Sequence, residues 1–204
     1  MNALVTDWTG PFGLPPFAEI GTEDFQPAFD QALAEARAAI DAIAEDPAVP
    51  DFANTIEAME RSERLLDRVA AVFFNLAGAD TNDEMEALQR DLSPRLSAHH
   101  SETMMNAALF ARVDALMERR AELGLTPEQD RVLELYHRMF VRSGARLEGA
   151  DRDRLREISS RLATLGTAFG QNVLADEKAW EMRLEEGDLE GLPEDLIASA
   201  AEAA

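Results

Sequence analysis

The sequence predicts an all-α protein, built as antiparallel helical hairpins or a bundle, with one long helix near residues 151–184. Two observations carry the prediction. Apolar residues recur at spacings of three and four along most of the chain, which gathers them on one helical face, and nowhere do they alternate as a half-buried strand requires. Alanine, leucine, glutamate and arginine dominate and aromatic residues make up only 6%, so intrinsic propensity favours helix nearly everywhere. At 204 residues the chain is long enough to bury most of its apolar surface. Three segments are expected: a leader over 1–21, a helical domain over 22–186, and the start of a further helical segment over 187–204.

The leader carries Gly10-Pro11, Gly13 and Pro15-Pro16, which read as extended backbone pinned by Trp8, Phe12 and Phe17. Phe25, Phe29, Leu33, Ala36, Ile40 and Ile43 then mark the apolar face of a helix over about 23–45. Asp46-Pro47 and Val49-Pro50 end it, because proline disfavours helix in the residue before it. A second helix starts near Asn54, carries Ile56, Met59, Leu65, Leu66, Val69, Val72 and Phe73, and stops near Ala77, with Gly78 placed as a left-handed cap. Asn82 or Thr81 caps a third stretch, in which Pro94 predicts a kink or a fresh start from Ser93.

A short helix over about 107–122 ends before Gly124. Thr126-Pro127-Glu128-Gln129 is a capping box with proline at the first helical position, so the next helix runs from there to Arg142 and stops at Gly144. Asp151 caps the long helix, whose stripe of Leu155, Ile158, Leu162, Leu165, Phe169 and Val173 should pack within the chain. Gly166 and Gly170, four apart, predict close crossing by another segment. Pro193 begins a last helix that reaches Ala204 within a few turns, which fits the front portion of a longer protein. Leu184, Leu189, Leu192, Leu196 and Ile197 cluster there, and residues from about 185 onward should be mobile or paired with a second copy.

The net charge of −21 disfavours nucleic acid and anionic membranes, both of which are bound mainly through cations. It promotes solubility and offers a negative wall that would attract cationic peptides. No apolar run approaches the roughly 18–20 residues of a membrane span, and residues 1–16 lack the basic start and apolar core of a secretory signal. The chain has no cysteine, which excludes disulfides and thiolate metal sites and is compatible with a cytoplasmic location.

Phosphate-binding glycine loops, the nucleotide fold's glycine fingerprint and a nucleophile elbow are all missing from the sequence. Glu134 and His137 form a Glu-x-x-His element, but a di-iron bundle needs a second one, and neither His99 nor His100 has a glutamate three residues earlier. Glu134 and His137 are therefore read as an intrahelical pair beside a buried Tyr136. His99 and His100, with Glu102, are read as an exposed surface pair, since adjacent helical side chains diverge by about 100° and do not easily share a metal. Gln171 and Asn172 are expected to satisfy buried carbonyls where helices meet, or to touch a substrate channel. Trp180 is expected to anchor packing. Neither composition nor spacing singles out a catalytic, substrate-binding or metal-ligating residue.

An ordered series of short motifs resembles a known family. It comprises Ile20-Gly21-Thr22-Glu23-Asp24-Phe25-Gln26-Pro27-Ala28-Phe29, Asp51-Phe52-Ala53-Asn54-Thr55-Ile56, Val72-Phe73-Phe74-Asn75-Leu76, Leu109-Phe110-Ala111-Arg112-Val113, Leu123-Gly124-Leu125-Thr126-Pro127 and Phe169-Gly170-Gln171-Asn172-Val173-Leu174. Together they resemble the N-terminal region of the thimet oligopeptidase, oligopeptidase A and peptidyl-dipeptidase family of zinc metallopeptidases, over about residues 17–204. The family's His-Glu-x-x-His zinc helix does not occur. The resemblance implies the N-terminal half of a two-lobed helical peptidase, one wall of a channel that admits short peptides. Zinc would be held in the parent enzyme and not by this portion. The portion's partner would be the missing C-terminal catalytic domain. The alternative from another class is a stand-alone acidic interaction module without enzymatic activity.

Overall fold

Helices account for every regular element of the structure, a computed structural model that describes residues 2–203 apart from Leu184. Leu184 and Ala204, to which the sequence assigns places, lie outside the described residues. The α-helices are α1 (Phe25–Ala44), α2 (Ala58–Ser62), α3 (Arg64–Ala79), α4 (Asp83–Met104), α5 (Ala107–Glu118), α6 (Pro127–Arg142), α7 (Gly149–Ala179) and α8 (Glu194–Ala203). A turn of π-helix, Ala53–Glu57, leads into α2. The chain divides into two compact units, residues 1–168 and 169–204.

The first unit is organised on α1, which serves two cores in succession. Its first half presents Phe25, Ala28, Phe29, Ala32 and Ala36 to Leu66, Val69 and Phe73 of α3 and to Met85 and Leu92 of α4. Phe73 is the centre of that core, meeting Phe25 edge-on at 5.1 Å and Phe29 at 5.5 Å between ring centroids. Such edge-to-face pairs match the positive ring edge to the negative face. Further along, Ile40 and Ile43 enter a second core with Ile56, Met59, Met104 and residues of α5 and α6, among them Leu109, Val113, Leu133 and Phe140. All seven buried residues of α1 recur at three- or four-residue steps.

The caps follow the sequence where local chemistry is strong. Thr126 accepts from the Gln129 amide while Gln129 reaches back to the Thr126 amide, closing the predicted box. Asn82 rather than Thr81 caps α4, accepting from Met85. Gly144, at φ +94°, ends the turn after α6 and leaves room for Leu155, which lies where a β-carbon would stand.

Several expectations are corrected. Gly78 is not a left-handed cap: it lies inside α3, which continues to Ala79. The second helix is broken at Glu63, whose φ of −108° and ψ of 11° separate α2 from α3. Pro94 sits within a single helix, and Ser93 donates its hydroxyl to the Gln89 carbonyl instead of capping a new start. In the leader Phe12 is 99% exposed and Phe17 is also exposed. Leu4 is the buried anchor instead, and Trp8 stacks under Arg68, 4.9 Å from the ring centroid.

The long helix differs most. α7 starts at Gly149, ends at Ala179, and buries none of its residues. Leu155 is half-buried, whereas Ile158, Leu162 and Leu165 of the first unit and Phe169 and Val173 of the second are exposed, so the stripe is not the buried face that its spacing predicts. No segment crosses closely at Gly166 or Gly170, since nothing among the described residues comes within 4 Å of where a β-carbon would stand on either. The second unit holds the end of α7, a 3-10 turn at Glu186–Leu189 and α8. Trp180 is exposed there rather than buried as a packing anchor.

Phe73→Ala should cost about 3–5 kcal/mol, because it empties the meeting point of three rings in a close-packed core. Phe12→Ala, on a fully exposed side chain, should stay within about 0.5 kcal/mol. Urea unfolding midpoints of the two variants check both outcomes.

Candidate functional site

Polar chemistry in the first unit is concentrated where the helices are tied together. The break at Glu63 is the first such place. Glu60, Glu63 and Asp67 follow one another at three- and four-residue steps, so all three carboxylates share a side. Glu63 Oε1 lies 2.7 Å from His99 Nε2 of α4, and the Tyr136 hydroxyl of α6 donates to Glu60. The bond to His99 holds the Glu63 carboxyl below the ordinary carboxylate range, against partial burial, which pushes the other way. Asp67 is raised, first by partial burial and then by repulsion from Glu63 and Glu60. Burial raises the Tyr136 hydroxyl, and its bond to Glu60 adds to the effect.

A second tie centres on Arg112, the buried cation of α5. Its guanidinium donates to the Asp46 carbonyl at 2.7 Å, the Ala48 carbonyl at 3.2 Å and Asn54 Oδ1 at 2.9 Å, with the Asp46 carboxylate at 3.4 Å. Asn54 in turn exchanges bonds with Asp51 through both backbone amides and donates to the Val49 carbonyl. One buried arginine thus fixes the largely exposed, proline-bounded loop between α1 and the π-turn, and the loop's oxygens in turn partner a guanidinium that is out of water. A third tie joins α5 to α6: His137 Nε2 is 2.8 Å from Asp114 Oδ1, and Arg146 reaches the same carboxylate at 3.7 Å.

These contacts correct two readings of the histidines. His99 is buried, and only His100 is exposed, since neighbouring helical positions point about 100° apart. Glu102 is paired with Arg37, not with either histidine. His137 does not pair with Glu134, which bonds Arg131 at 2.7 Å and lies 3.8 Å from Arg138. Tyr136 is half-buried rather than buried. Asn172 is exposed and Gln171 half-buried, on a helix with no buried position, so Asn172 closes no buried carbonyl. Among the described residues no three histidine, aspartate or glutamate side chains are grouped so as to hold a metal ion.

Sequence reasoning missed Glu63, Asp114 and the hub role of Arg112. Arg112 had a signal: it lies three residues after Leu109 and four before Leu116, a charge on an otherwise apolar face. Glu63 and Asp114 had none, because their partners are 36 and 23 residues away. Between α4 and the first half of α7 lies an open cleft of about 590 Å³, lined by Ser97, Ser101, Glu102, Arg156, Ser160 and Thr164 among others. Its mixed charges mark no single ligand chemistry.

An all-helical scaffold whose helices are tied by polar side chains, among them buried Arg112 and His99, is the class these features define. Its sequence is similar to the N-terminal part of dipeptidyl carboxypeptidases and oligopeptidases A. Dipeptidyl carboxypeptidase of Escherichia coli (strain K12) is 42% identical over 205 residues, covering 100% of this chain and 30% of that protein. Oligopeptidase A of the same organism is 26% identical over 200 residues, 98% of this chain and 29% of the relative. The thimet-like oligopeptidase of Dictyostelium discoideum is 26% identical over 151 residues, 72% of this chain and 22% of its own length. The chain therefore spans less than a third of the curated relatives it matches. No family model matches it.

Two outcomes are expected of the ties. Arg112→Lys should destabilise the fold by about 1–3 kcal/mol, because a single ammonium keeps the charge but cannot replace a planar fork that reaches several acceptors; urea titration reads this. Glu63 has a lower pKa folded than unfolded, so its stabilisation is complete above the ordinary value of 4.5 and is lost as pH falls through the depressed value. Glu63→Gln should therefore lower the unfolding midpoint at neutral pH and show a shallower decline below pH 4.5, converging with the unmodified chain in acid.

Proposed function

We propose that this chain is the non-catalytic N-terminal portion of a zinc-dependent peptidase acting on short peptides, and that it forms one wall of the channel that admits them. The observation that carries the reading is 42% identity, along the whole chain, with a dipeptidyl carboxypeptidase. The residues present do not fit zinc. The sequence lacks His-Glu-x-x-His, His99 and His137 are each committed to one carboxylate, and the described residues contain no metal-holding cluster. On this reading zinc, its ligands and the water-activating glutamate are supplied by the remainder of the parent.

What this portion supplies is shape and charge. Rigid helices tied by Arg112 and Glu63–His99 exclude folded substrates by size. A net charge of −21 raises the local concentration of cationic peptides. No helix among the described residues is long and apolar enough to cross a membrane. The partners are short peptides and the catalytic remainder of the parent, and the compartment is the cytoplasm.

The parent reading frame should encode His-Glu-x-x-His downstream, and its product should cleave fluorogenic oligopeptides in a chelator-sensitive way. The 204-residue chain alone should do neither that nor retain stoichiometric zinc after dialysis. Chelator-sensitive turnover intrinsic to the chain, or a parent frame without that motif, would overturn the reading and favour the stand-alone module.

A further inference from the structure

The outer face of α7 is the largest feature that the proposed role leaves unused. Ile158, Leu162 and Leu165 are 39%, 63% and 47% exposed, and their spacing lines them along one side of a helix. Half-buried Ser159, Ala163 and Thr167 lie on a different side. The same apolar period continues in the sequence through Phe169 and Val173, both exposed. Beside the stripe Gly166 has open space at its β-carbon position, so it lowers helix propensity without serving a contact among the described residues. An apolar stripe next to a notch in a helix suits the close approach of a second helix.

We infer that the Ile158–Leu162–Leu165 face of α7 is the docking surface for an apolar helical segment of the parent chain that lies outside these 204 residues. The inference rests on the proposed function in one respect, that the parent has the length of its relatives. Two observations select this occupant over a second copy. The chain spans only 30% of the dipeptidyl carboxypeptidase it matches along its whole length, so most of such a parent is available to cover the face. Two copies, each at −21, repel one another, which disfavours a contact between separate molecules. A segment of the same chain is favoured instead, because covalent connection supplies a high effective concentration.

The chain has no cysteine, so Leu162→Cys and Leu165→Cys each place a single thiol in the stripe, and Asp153→Cys, at a side chain 69% exposed, serves as control. In the 204-residue chain the three thiols should react with a maleimide at similar rates, independent of protein concentration. In the full-length parent, with labelled sites located by peptide mapping, positions 162 and 165 should react about tenfold or more slowly and position 153 should not, since a covered thiol reacts only through local opening. Leu162→Glu should leave the unfolding midpoint of the 204-residue chain unchanged and lower that of the parent. Equal reactivity at all three positions in a parent that hydrolyses peptides would overturn this inference and leave the proposed function standing. Protection that grows with concentration in the 204-residue chain would assign the face to a second copy and overturn it equally. A parent that ends at these residues would overturn both.

Discussion

α1 has to face two cores with one stripe, and the arrangement of residues 1–168 depends on how it does so. The stripe changes character along the helix. Around the aromatic end, Ala28, Ala32 and Ala36 keep the surface low, so that α3 can approach and Phe73 can reach between Phe25 and Phe29. Beyond Ala36 the branched Ile40 and Ile43 stand out from the surface and enter the second core. Adding volume at the alanines would force α3 away, and removing it at the isoleucines would leave a void, so both errors destabilise. One helix therefore sets the separation of α3 on one side and of α5 and α6 on the other.

Hydrophobic packing leaves the connections between elements to polar contacts, and a chain this acidic places its few cations where they hold loops. Arg112 spans the loop after α1, Arg68 donates to the Leu4 carbonyl, and Arg120 grips Asp130 with two bonds of 2.9 and 2.6 Å. Exposed pairs such as Arg154–Glu157 contribute little, because solvent screens them. The buried fork of Arg112 is different, since its removal leaves several acceptors without partners.

The parts of the fold that are legible in the sequence are those fixed by neighbours a few residues away. The box at Thr126 and Gln129, the Asn82 cap and the apolar face of α1 follow from spacings of three or four, and the stop at Gly144 follows from glycine's tolerance of positive φ. What distant contacts decide is not legible. No glycine or proline announces the break at Glu63, which sits where His99 of α4 meets it. Gly78 has the look of a terminus because helix usually stops at glycine, yet α3 carries on through it. The stripe of α7 is apolar and helical, as its spacing implies, but it is not buried. Periodicity says which face wants a partner and not whether the partner lies within the same residues.

The leader is fastened only at its ends. Asn2 donates to the Asp24 carbonyl, Leu4 is fully buried, and Trp8 returns its indole N–H to Ala3, whereas residues 9–14 and 17–19 are exposed. Leu4 occupies its place because the intervening arch confines it nearby, and such confinement amounts to millimolar effective concentration. Buried Leu4, partly buried Val5 and Trp8 and a few hydrogen bonds do not hold a free dodecapeptide at ordinary protein concentrations. A single proteolytic nick at the outlying Phe12, which severs no packed contact, would thus let the first residues diffuse away and hollow out a core more than a helix length distant in sequence.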